Sequence, residues 1–176
     1  QEQAAGLAEE ERQLSLLREE MSRNQAALTE AEVKYTAAQA EAERLRGLVN
    51  DFAARAAEAE AEEVSARDAA ETANRLAENA IKIRESISSE SSQLILHAQE
   101  VLLEAAASAQ QLMDEKSLLR AAAQNESDRI GKQAALAENT AQQAGELVEM
   151  KKTACQDIEA KLAKAQQLAE IQKAHL

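Results

Sequence analysis

The chain is 176 residues long and contains no proline. Proline removes a backbone donor and clashes with the preceding turn, so its absence leaves helices free to run without interruption. Nearly a quarter of the residues are alanine, the strongest helix former. The same bias strips out chemistry-bearing side chains, leaving one Cys, two His, one Tyr, one Phe and no Trp. Leu, Ile, Val and Phe together reach only roughly 19%, which with a net charge of -12 borders on a disordered composition. Ala, Glu, Lys, Leu and Arg reach roughly 60%, the signature of long helices and coiled coils where a 3.5–3.6 period is present. Period decides between the two.

The period is present. Leu7, Leu14, Met21, Leu28, Tyr35, Ala42, Val49 and Ala56 recur every seven residues, and Leu17, Asn24, Ala31, Ala38, Leu45, Phe52 and Ala59 repeat them offset by three. These are the a and d lanes of a helix seam sustained over about seven heptads. Asn24 in a d slot either pins register or faces solvent where the seam is loose. Val64, Ala66, Ala69, Ala73, Leu76, Ala80, Ile83 and Ile87 extend the apolar lane. A second stripe is expected from Leu94, Ala98, Val101, Ala105, Leu112, Leu119 and Ala122. A third runs Ile130, Ala134, Ala137, Ala141, Ala144, Val148, Cys155, Ile158, Leu162, Ala165 and Ala169, skipping over Lys151. Acid-to-base pairs at i, i+4, such as Glu30–Lys34, Glu63–Arg67, Glu71–Arg75 and Asp157–Lys161, decorate the outer faces at roughly 0.2–0.5 kcal/mol each.

Punctuation is sparse. Ser86 to Ser92 holds five serines, which compete with helix through their own backbone bonds and favour caps, so a hairpin tip is expected there. Gln124-Asn125-Glu126-Ser127-Asp128, followed by Gly131, reads as a second turn. Gly47 with Asn50-Asp51 lets the heptad pass in step and predicts at most a kink. The expected fold is all-α, an elongated antiparallel helical bundle or coiled-coil hairpin. It forms a single extended domain over 1–176, with helices near 5–86, 93–124 and 128–174. The longest would span ~120 Å at 1.5 Å per residue. Because both halves carry apolar seams of similar length, the sequence predicts a hairpin satisfied within one chain.

Composition also excludes functions. Residues 1–63 carry 15 acidic and 7 basic side chains, and residues 127–176 carry 7 of each. An acidic chain nearly free of aromatics offers neither the phosphate clamp nor the stacking platform of a nucleic-acid binder. No apolar run approaches the ~18 residues of a membrane span. Neither a secretion signal nor a C-terminal hydrophobic tail is visible, so any membrane-anchoring segment is expected outside this chain.

Catalysis is not expected. His97 and His175 lack the Glu-x-x-His spacing of bundle di-metal sites, since Leu94 and Gln172 occupy the preceding position. No nucleophile elbow, phosphate loop or zinc spacing occurs, and no cofactor or metal site is expected. Cys155 cannot form an internal disulfide and sits on the seam as a small packing residue. Asn125-Glu126-Ser127 matches the N-glycosylation sequon, at the expected second turn.

Runs such as Ala69-Ala70-Glu71-Thr72-Ala73-Asn74-Arg75-Leu76-Ala77-Glu78-Asn79-Ala80, Gln133-Ala134-Ala135-Leu136-Ala137-Glu138-Asn139-Thr140-Ala141 and Glu104-Ala105-Ala106-Ala107 resemble the glutamic acid/alanine-rich proteins of African trypanosomes. The likeness covers most of the chain, is compositional, and carries over no functional residue. It implies a GPI-anchored surface antigen on the extracellular face of the plasma membrane, with a helical core similar in outline to variant surface glycoproteins. The implied function is a protective, densely packed coat, with neighbouring coat proteins or a homodimer as partners and the turn-bearing end outward. Two other functions are expected as rivals. One is a surface receptor on a helical stalk, similar to haptoglobin–haemoglobin receptors; the other is an intracellular coiled-coil scaffold, whose texture cytoskeletal rods share.

Overall fold

A computed structural model describes residues 2–86 and 92–174, with side chains for 6–86 and 93–174. Two helices make up the described residues, α1 (Glu2–Ser86) and α2 (Ser92–Ala174), with no strand among them. The expected tip at the serine cluster falls on residues 87–91, outside the described residues. Its flanks behave as helix ends, and the Ser86 hydroxyl donates to the Ile83 carbonyl at 2.8 Å.

The expected turn at 124–128 is corrected. Helix α2 passes through it, so the two helices expected at 93–124 and 128–174 are one. The polar cluster satisfies itself along the helix. Gln124 Nε2 donates to Asp128 Oδ1 at 2.9 Å, and the Arg129 guanidinium pairs with Glu126. Such local bonds offset the few tenths of a kcal/mol per residue by which Asn, Ser and Asp trail the better helix formers. Gly47 likewise sits within an unbroken α1.

The helices pack antiparallel as a helical hairpin, and their contacts group into two units. The first joins Gln1–Leu45 with Ala134–Leu176, and the second is Arg46–Gln133. In the first, Glu10 meets Gln172 at 2.5 Å and Tyr35 lies on Gly145. In the second, Glu62 meets Lys116 at 2.6 Å and Arg84 meets Gln99 at 3.1 Å. In both units the partner's number falls as the residue's number rises, which is the mark of an antiparallel pair.

The seam of α1 follows the expected heptad from Leu7 to Ala59 at every position, each buried or half-buried, Asn24 included. The stripe from Ile130 to Ala169 also turns inward at every position, with Lys151 half-buried in the slot that the stripe skipped. The stripe expected at Leu94, Ala98, Val101, Ala105, Leu112, Leu119 and Ala122 is corrected, because all seven are exposed. The inward side chains there are Ile95, Leu102, Ala106, Ala109, Met113, Lys116, Ala123 and Ser127. With Gln99 half-buried and Arg120 exposed in the two intervening slots, they continue the a and d lanes that Ile130 and Ala134 occupy. Between 64 and 83, Ala66, Ala73 and Ala80 lie on the seam, while Val64, Ala69, Leu76 and Ile83 are exposed.

Candidate functional site

Three arrangements stand out from the regular lanes. The first is a charged seam in the second unit. Glu63 occupies an a slot among Ala56, Ala70 and Ala77 and is only 6% exposed. Its carboxylate is held by Arg67, one turn along, at 2.9 Å and by Arg120 of α2 at 3.4 Å. Arg120 also reaches Glu60 at 3.9 Å, and Lys116 bonds Glu62 at 2.6 Å. A carboxylate taken from water loses hydration that apolar packing would not have cost, and the two guanidiniums offset that loss. Because Arg120 comes from the other helix, the cluster ties one level of α1 to one level of α2. Sequence reading took Glu63–Arg67 for an outer pair. The signal available was the position of Glu63, seven residues beyond Ala56 on a lane already assigned to the seam.

The second arrangement lies in the first unit. The Tyr35 ring packs on Gly145 so closely that a Cβ there would fall 3.1 Å from the ring. Glycine is what admits the ring at that height. The Tyr35 hydroxyl accepts from Gln39 Nε2 at 2.7 Å. Beside it an open groove of about 670 Å³ is lined by Glu32, Glu146, Glu149, Met150 and Lys152, among others. Its charges are mixed and it lies open along a helix side, so it has the character of a surface depression.

The third arrangement is an apolar side face on the second unit. With a and d on the seam, the flanking g lanes of an antiparallel pair fall on one side. In the first unit Ala27, Lys34 and Leu147, all g residues, line one shallow depression. In the second unit the g lanes hold Ala69, Leu76 and Ile83 on α1 and Ala98, Ala105, Leu112 and Leu119 on α2. Leu94, Val101 and Ala122 lie in the adjoining c lane, and all ten are exposed.

The remaining residues singled out in the sequence stand apart from these. Asn125 is exposed on the middle of α2, and Ser127 of the same sequon is half-buried toward the seam, so the sequon lies in helix and not in a turn. Cys155 is a buried free thiol on the seam. His97 is exposed on α2, and His175 lies outside the described residues. Among the described residues no three His, Cys, Asp or Glu side chains come together as a metal group, and no helix is long and apolar enough to cross a membrane.

The resolved pKa displacements belong to exposed pairs. Hydrogen bonds from Lys34, Arg44 and Arg129 hold Glu30, Glu41 and Glu126 below the usual carboxylate range. The same bonds raise Arg44 and Arg129. These shifts describe surface pairing, with no acid and base set against each other in a cleft. Comparison with protein-family models, curated proteins and solved structures finds no match.

Proposed function

We propose that this chain is a non-enzymatic structural protein that works through the sides of its helices, as a surface coat protein of the kind its sequence resembles. The observation that carries the reading is the assignment of side chains within the hairpin. Three residues able to do chemistry are committed to packing and pairing: Cys155 to the seam, Glu63 to Arg67 and Arg120, and Tyr35 to the Gly145 backbone. The surface left over is acidic helix side, at a net charge of -12 for the whole chain. Like charge of that size keeps crowded neighbours soluble while their backbones exclude larger molecules. A GPI anchor on a segment beyond this chain would hold it at the membrane.

A second reading, an intracellular coiled-coil scaffold, is favoured by the apolar side face of the second unit, since scaffolds assemble through such faces. Antibody labelling of the source cells before and after permeabilisation separates the two. Dense staining of intact cells is the expected result. Staining that appears only after permeabilisation would remove the coat reading in favour of the scaffold.

A further inference from the structure

The side face of the second unit is larger than a solvated surface normally carries. Leu94 is 82% exposed, Leu119 57% and Ile83 52%, and Leu76, Val101 and Leu112 are each about half exposed. These six side chains present on the order of 600 Å² of apolar surface, at the top of the range for the largest patch on a monomer. With Ala69, Ala98, Ala105 and Ala122 between them, the face approaches the ~800 Å² per partner of a stable interface.

We propose that the occupant of this face is a second copy of the chain, the two hairpins stacking in this region as a four-helix bundle. Three features favour self-association. The face is built from both helices, so two copies can each present it whole to the other, as an isologous interface requires. Its small-and-large alternation suits interdigitation: Ala98 and Ala105 leave hollows on α2, while Leu76 and Ile83 stand out on α1. Its edges complement themselves. Arg75 and Lys82 are exposed along the α1 edge and Glu104 along the α2 edge. The Arg84–Gln99 and Glu62–Lys116 contacts fix the levels, so that Glu104 stands level with the stretch between Arg75 and Lys82. A twofold axis along the hairpin sets α1 of one copy over α2 of the other, and Arg75 and Lys82 then flank Glu104 of the second copy. Bundles of paired hairpins are a standard way to bury a third apolar lane beyond a and d.

The inference goes beyond the coat reading and stands equally for a scaffold, because it rests on packing alone. Sedimentation equilibrium tests it in solution. The wild-type chain is expected at twice the chain mass, and Leu112→Glu/Leu119→Glu at a single chain mass with unchanged far-UV helicity. Both leucines are exposed in the hairpin, so the substitutions leave its seam intact. The expected weakening is at least about a hundredfold, the loss of two central apolar anchors. Leu76→Glu, on the other helix, is expected to weaken the dimer in the same direction. Leu103→Glu, a comparably exposed leucine on the opposite flank of α2, is expected to leave it dimeric. A wild-type chain of single mass would overturn the inference and assign the face to a different protein. A dimer that survives Leu112→Glu/Leu119→Glu would overturn it too.

Discussion

The two units use the same lanes and fill them differently. The first buries Leu14, Leu45, Val148, Cys155 and Ile158 among its alanines. The second buries Ala56, Ala66, Ala70, Ala77 and Ala106, with Ile130 and the carboxylate of Glu63. Val49, Phe52, Ile95, Leu102 and Met113 are half-buried on its seam, while Leu76, Ile83, Leu94, Val101, Leu112 and Leu119 lie exposed on the g and c lanes. The corresponding g and c slots of α1 in the first unit carry Glu20, Arg23, Glu30, Lys34, Glu41 and Arg44 beside Leu16, while those of α2 there hold Leu136, Leu147, Met150, Leu168 and Ile171, all exposed. The first unit is therefore apolar within and mixed on that flank, with a charged α1 beside an apolar α2, and the second is thinner within and apolar on both helices beyond Ala69. The contrast teaches that an apolar residue count says little about cohesion until each residue has a lane. The first unit holds itself together along the seam, while the second keeps much of its apolar surface for contact beyond the hairpin.

The largest effect that would break this contrast is a seam truncation set against a flank truncation. Ile158→Ala should cost about 2 kcal/mol, the low end for an isoleucine, since a two-helix seam relaxes around the gap. Leu119→Ala should cost within about 0.5 kcal/mol when the hairpin unfolds as a monomer. Urea denaturation in the Leu112→Glu background reads both. Equal costs would mean that the two units draw on their apolar residues alike.

Glycine substitutions come next in size. Gly47 and Gly131, in the second unit, have open space where a Cβ would go. Alanine there should stabilise by about 0.5–1 kcal/mol through helix propensity. Gly145→Ala should gain clearly less, or lose, because the Tyr35 ring must move by a few tenths of an ångström to admit the methyl group. Pairing it with Tyr35→Leu should restore the gain. Thermal melts of the four variants give the comparison, and a full gain in Gly145→Ala alone would show that the ring moves freely.

Glu63 separates stability from register. Glu63→Ala extends the alanine lane of its neighbours and should change stability by less than about 1 kcal/mol, because Arg67 and Arg120 are half exposed and regain water when the carboxylate goes, so no buried charge is left unpaired. It should still loosen the pairing. Spin labels placed at Ala54→Cys and Asn125→Cys, with Cys155 replaced, are expected to show one narrow distance distribution in the parent. In Glu63→Ala that distribution should broaden. An unchanged width would leave the alanine steps alone in charge of register.

How much of this was legible follows the same division. Residues 7–59 and 130–169 carry an apolar repeat that coincides with the a and d lanes, so the sequence pattern places every member of that repeat inward, while Leu16, Val33, Leu136, Leu147, Met150 and Leu168 stand outside it and are exposed. Between 94 and 122 the strongest stripe is real but lies on the c and g lanes. Pattern reports that a stripe exists and leaves open which neighbour covers it. The error grew from the expected turn at Asn125, which allowed register to restart there. Carrying the Ile130–Ala134 lanes back in threes and fours reaches Ser127, Ala123, Arg120, Lys116, Met113, Ala109, Ala106, Leu102, Gln99 and Ile95, the seam that forms, with Arg120 its one exposed member. That path runs through Lys116, Arg120, Gln99 and Ser127, residues that composition assigns to solvent. Lys116 lies there because Glu62 meets it across the seam, a fact of pairing that no single helix displays.

The smallest effect concerns acid. Glu30 and Glu41 in the first unit and Glu126 in the second titrate below the ordinary 4.5 because Lys34, Arg44 and Arg129 bond their charged forms. The unfolded chain therefore binds more protons than the folded one in the interval beneath that value. The stability from these pairs is complete above about pH 4.5 and lost as pH falls through the lowered values. A second influence runs the other way, because protonating carboxylates of a chain at net charge -12 relieves its self-repulsion. The pair contribution is thus read as a difference. Relative to Lys34→Gln/Arg44→Gln/Arg129→Gln, the wild type should hold a small advantage near neutral pH that closes as pH falls through the lowered values of the three carboxylates. Hydrogen exchange should place more of that closing advantage in the first unit, which holds two of the three pairs. An advantage that grew on acidification would reverse the sign and show that the three bases support the fold by some means other than their carboxylate partners.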